Sequence, residues 1–179
     1  MITNKMEKNQ GLTLIESLVV VGILLGIVAI ALTLYGTVRD RLNVKNESEN
    51  ISFIFSQTVD LFSDEETSDI GNELAVQAGI IPKKMKISNG EDVFNSWGGR
   101  VDIKPNGSNG FLLTYKKVPS GSVCVDMIRN QRKVGWDAYK TEKGGTDYSK
   151  LKNSTLVGHC DSSNDYIDVD FTYGESSSI

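Results

Sequence analysis

A chain of 179 residues, 39% of them hydrophobic, is long enough for one buried core and an appendage. Its formal charge of −4 offers no electrostatic footprint for nucleic acid. Its one histidine, His159, excludes any site built on two, and with Cys160 beside it supplies too few ligands for a structural zinc.

The chain opens on a short leader, residues 1–11, that carries Lys5, Glu7 and Lys8 and ends in Gly11. Leu12-Thr13-Leu14-Ile15 follows, then a lone carboxylate, Glu16, then an uncharged run from Ser17 to Val38. Leu18 to Tyr35 is nearly all apolar and makes about 27 Å of helix, close to the ~30 Å hydrocarbon core of a bilayer. An ionised carboxylate at membrane depth costs ~2.5–3.5 kcal/mol on insertion scales, which marks Glu16 as a candidate functional residue. Gly22 and Gly26 have the G-x-x-x-G spacing that permits close helix approach, and each weakens helix continuity by ~1 kcal/mol. A secretory signal peptide is a competing reading. Ala29-Ile30-Ala31 fits its cleavage pattern and would release a soluble chain from Leu32. An uncleaved anchor is a third. Neither competitor gives Gly11 or Glu16 a role.

Thr37 to Asp64 continues as an amphipathic helix, with Ile51, Ile54, Phe55, Thr58, Leu61 and Phe62 on one face. The stretch before that face is charged (Arg39, Asp40, Arg41, Lys45, Glu47, Glu49) and reads as a solvated juncture. Ser63 to Asp69 is acidic and polar, a helix end leading into a surface loop, without the ligand spacing of a calcium loop. A short helix is expected over Asn72 to Ile81, with Leu74, Ala75, Ala78 and Ile81 on one side and Pro82 ending it. Val101 to Lys104 and Phe111 to Lys116 read as strands joined by the turn cluster Pro105 to Gly110. Pro119 to Arg132 reads as a helix with Cys124, Met127 and Ile128 inward. Tyr166 to Tyr173 alternates as a half-buried strand, with Ile167, Val169 and Phe171 on one face. Between the two cysteines, Val125 to His159 is rich in glycine, lysine and serine and is expected to have little apolar content of its own. Cys124 and Cys160 read as one disulfide in an exported chain and as two buried thiols in a cytosolic one. No GxSxG, P-loop, HExxH or CxxC pattern is present, so no catalytic residues, metal site or cofactor are expected.

Gly11 followed by Leu12-Thr13-Leu14-Ile15-Glu16, with the apolar stretch to about Val38, resembles the processing site and first helix of type IV prepilins. The resemblance implies cleavage after Gly11 by a membrane-bound prepilin peptidase and N-methylation of the new first residue, Leu12. It also implies a subunit-assembly role for Glu16, as partner of the buried amino group of a neighbouring Leu12. Leucine at that position resembles the type IVb branch, whose members include pilins of adhesive and conjugative pili, although the leader is short for that branch. The Asn95-Ser96-Trp97-Gly98-Gly99 turn also resembles type IVb heads.

The implied fold is α+β, a pilin with a long N-terminal helix packed on an antiparallel sheet and a Cys124–Cys160 disulfide bounding its C-terminal region. Its segments are a leader (1–11), a transmembrane and filament-core half-helix (12–36), an amphipathic half-helix (37–64) and a globular head (65–179). The implied function is structural: a subunit of a pilus for adhesion, aggregation or conjugative mating, not an enzyme. It resides in the inner membrane before assembly and on the bacterial surface after it. Implied partners are copies of itself, the prepilin peptidase, an inner-membrane platform protein, an assembly ATPase and a secretin. A minor pilin or type II secretion pseudopilin is the neighbouring alternative. A secreted binding or enzymatic domain behind a signal peptide is the alternative of another class.

Overall fold

The computed structural model describes residues 13–174. The expected leader, Leu12 and the last residues, 175–179, lie outside the described residues.

The first element is a helix of 48 residues, α1 (Leu14–Leu61), continuous through Gly22, Gly26 and Gly36. The chain divides into two compact units between Arg39 and Asp40. In the first, Leu14–Leu32 is long and apolar enough to cross a membrane, and none of it is buried within the chain.

The second unit is built on a seven-stranded antiparallel sheet of order β1-β2-β3-β4-β7-β5-β6. Its strands are β1 (Lys86–Ser88), β2 (Asp92–Phe94), β3 (Arg100–Pro105), β4 (Phe111–Pro119), β5 (Ala138–Thr141), β6 (Gly144–Asp147) and β7 (Tyr166–Tyr173). Side chains alternate across a strand, so register decides which of them share a face. Val101 lies opposite Tyr115 and Ile103 opposite Leu113 in the β3–β4 pair. Val169 and Phe171 of β7 lie opposite the same Tyr115 and Leu113, and all six side chains are buried. The expected hairpin and the alternating last strand are therefore both present.

The head half of α1 covers this apolar face with Val44, Ile51, Ile54 and Phe55. Phe55 sits among Phe111, Trp136 and Tyr173, with ring centroids 5.9, 4.8 and 5.2 Å away. Gly135, at φ 128°, passes so close to this ring that a Cβ there would lie 2.7 Å from Phe55. Glycine is suited to that position on both counts.

Several local expectations shift. Leu61 is exposed while Thr58 on the same face is buried. Helix α2 (Asn72–Gln77) stops short of Ile81; of the expected face, Ala75 and Ile81 are buried and Ala78 is exposed. Helix α3 (Ser122–Asn130) is shorter than expected, because Pro119 and the residues before it extend β4. The segment between the cysteines is not apolar-poor. It contains β5, β6 and helix α4 (Asn153–Cys160), and it buries Trp136, Tyr139, Tyr148, Leu151 and Leu156. Those residues are widely spaced in sequence, so no single window shows a period. Pairing of β5 with β7 brings Tyr139 opposite Phe171, and all five residues join the buried core.

Candidate assembly site

Glu16 opens α1 in a specific local arrangement. The Thr13 backbone N–H and hydroxyl both donate to Glu16 Oε2, at 2.9 and 3.0 Å, and the Glu16 N–H donates back to Thr13 Oγ1 at 3.3 Å. This is a reciprocal capping box, which satisfies donors that the first helical turn would otherwise leave bare. Its signal, Thr-x-x-Glu ahead of an apolar run, lay in the sequence beside the prepilin pattern. The carboxylate also sits favourably near the positive end of the helix dipole. The next residues, Leu14 to Leu32, present large apolar side chains that the chain itself leaves uncovered.

The charged juncture is not uniformly solvated, and Glu47 is the exception. It is only 2% exposed, and its carboxylate accepts from the Ser96 N–H at 2.8 Å, the Ser96 hydroxyl at 2.5 Å and the Asn50 amide at 3.0 Å. Charge-assisted bonds of this kind offset the desolvation of a buried carboxylate. Glu47 thereby fastens α1 to the Asn95–Gly99 turn. That turn is itself held by Asn95, whose side-chain oxygen accepts from the Trp97 and Gly99 N–H groups, at 3.0 and 2.9 Å. Its amide donates to the Lys116 carbonyl at 2.7 Å. Gly99 packs against that same carbonyl, and a Cβ there would lie 1.7 Å from its oxygen. The run Asn-Ser-Trp-Gly-Gly therefore has a mechanical reason: a side-chain clamp, then a glycine where backbone meets backbone. Burial, and then the nearby Glu47 charge, push the Tyr115 hydroxyl well above the ordinary phenol range.

Cys124 of α3 and Cys160 of α4 are bonded, with Cα atoms 5.7 Å apart. His159 precedes the bond, and its Nδ1 lies 3.0 Å from the hydroxyl of buried Tyr139. At the far end of α1, the acidic loop is anchored by Thr67. Its hydroxyl donates to the Gly110 carbonyl at 2.6 Å, and its N–H donates to the Ser108 carbonyl at 2.8 Å.

Residues 41–172 match the family model described as PilS N terminal. The chain belongs to this family of type IV pilins. A solved type IVb pilin from Salmonella typhi is similar in fold, with a TM-score of 0.62 and 22% identity over 73% of this chain and 99% of that one. No curated protein matches the sequence significantly. Membership fixes the coarse function: a structural pilus subunit that polymerises with itself, not an enzyme. The expected α+β pilin fold is the one observed.

Proposed function

We propose that this pilin is cut after Gly11 by a prepilin peptidase, N-methylated on Leu12, and stored in the inner membrane through residues 12–36. It is then polymerised into a type IVb-like surface pilus with its head (65–179) outward. The observation that carries this reading is the uncovered apolar segment Leu14–Leu32, joined through one continuous helix to a head of pilin fold. Such a surface needs a second environment. Lipid supplies it before assembly, and the same segment of neighbouring subunits supplies it afterwards.

Within that core, Glu16 is the group available to the Leu12 amino group of an adjacent subunit. An unpaired charge buried there is penalised by ~3–5 kcal/mol, so the pair acts as a register device. The platform protein, the assembly ATPase and the secretin are the machinery this route requires, and adhesion, aggregation or mating is the use of the filament. The test is intact-mass and N-terminal analysis of native surface filaments, together with Glu16→Ala. A chain starting at methylated Leu12, with normal cleavage but lost filaments in the variant, is expected. A start near Leu32 overturns the processing, and normal piliation of Glu16→Ala overturns the role of Glu16.

A further inference from the structure

The head carries two exposed patches of opposite charge, far apart on one subunit. One is a groove of about 510 Å³ between α1 and α3, lined among others by Arg41, Val44, Lys45, Ser48 and Arg129. Arg129 is already paired with Asp126 at 2.5 Å, and Glu49 on the groove wall with Lys84 at 3.3 Å. Among the described residues, Arg41 and Lys45 form no ion pair, and both are exposed. The other patch is the loop after α1. Asp64, Glu65 and Glu66 are exposed there and likewise form no ion pair among the described residues. This loop is tied at its base by the Thr67 hydrogen bonds to Ser108 and Gly110, so it is presented in an ordered form and loses little freedom on docking.

The two patches cannot meet within one subunit. Lys45 and Leu61 lie on one helix, roughly 24 Å apart at ~1.5 Å per residue, and the acidic residues follow Leu61. A contact between different patches on identical chains is heterologous, and when it does not close into a ring it propagates as a helical array. The charges match in sign: two exposed cations in a groove, three exposed carboxylates on the loop after α1.

We propose that the acidic loop of one subunit, Asp64 to Glu66, seats in the Arg41–Lys45 groove of a neighbouring copy in the filament. This rests on the pilus-subunit reading. Exposed ion pairs are screened by salt, so the contact selects orientation and neighbour and weakens as ionic strength rises.

Native filaments are treated with a water-soluble carbodiimide, which joins an ammonium directly to a carboxylate, then dissociated, digested and analysed by mass spectrometry. Peptides linking Lys45 to Asp64, Glu65 or Glu66 are expected, and in mixed isotope-labelled filaments these links join different chains. In parallel, the double variant Arg41→Glu/Lys45→Glu is expected to lower filament yield several-fold, with processing and the Cys124–Cys160 bond unaltered. Adding Asp64→Lys, Glu65→Lys and Glu66→Lys is expected to restore it. Wild-type yield from the double variant with no Lys45 link overturns the groove contact and leaves the pilus reading standing. A deficient double variant that the added lysines do not rescue also overturns the contact. Absence of filaments from the unaltered chain overturns both.

Discussion

Replacing Cys124 and Cys160 together by alanine removes a bond between α3 and α4 whose ends are 36 residues apart. In the chain-entropy treatment, opening a loop of that size costs about 4 kcal/mol of stability at 25 °C. The head unit, residues 40–179, has an unfolding entropy near ~0.3 kcal/mol/K at ~2.1 cal/mol/K per residue, so the loss lowers its Tm by roughly 13 °C. Both cysteines are fully buried, and loss of sulfur packing moves the result the same way. The assay is thermal unfolding of fragment 40–179 followed by circular dichroism, oxidised wild type against the double variant. The opposing effect is on the same segment. Trp136, Tyr139, Tyr148, Leu151 and Leu156 are buried between the two cysteines and hold it to the sheet without the bond. A fall in Tm below about 3 °C, equivalent to less than ~1 kcal/mol, would show that this packing constrains the loop on its own and would refute the loop-closure argument.

Glu47→Ala removes the acceptor of three hydrogen bonds and strands the buried Asn50 amide, for an expected loss of about 2–4 kcal/mol in urea unfolding. Glu47→Gln, which keeps the shape, is expected to lose less, and equal losses would mean that the carboxylate charge rather than packing holds α1 to the turn. The pH prediction concerns three phenols. Burial raises Tyr139 to about 12 and pushes Tyr115 and Tyr148 well above the ordinary range. A raised folded-state value means that the unfolded chain releases its protons first, near pH ~10. The contribution of these groups is thus complete below pH ~10 and is lost as pH climbs toward the folded values. Absorbance of tyrosinate is expected to show a fraction that appears only as the far-ultraviolet circular dichroism is lost. Full titration of all the tyrosines in a still-folded head would contradict the burial.

The Thr13-x-x-Glu16 box, the apolar run behind it and the alternation of β3, β4 and β7 are written within short windows, because caps, hydrophobic length and strand period depend on neighbours in sequence. The apolar run and the strand alternation were enough to read a membrane-capable helix and a sheet-bearing head from residues alone, while the capping box was recognised only in the structure. Other features depend on contacts between distant parts of the chain. The last strand, β7, lies between β4 and β5, and the glycine-rich cysteine loop joins the core through that placement. Glu47 reads as one more charge in a polar stretch until Ser96, 49 residues on, supplies the donors that make its burial tolerable. By itself the sequence determined the lipid-seeking helix and the strands β3, β4 and β7, while β5, β6 and α4 emerged only in the folded chain. Tertiary structure decided which polar groups those segments enclose, since a buried charge is stable only where its partners converge from elsewhere in the chain.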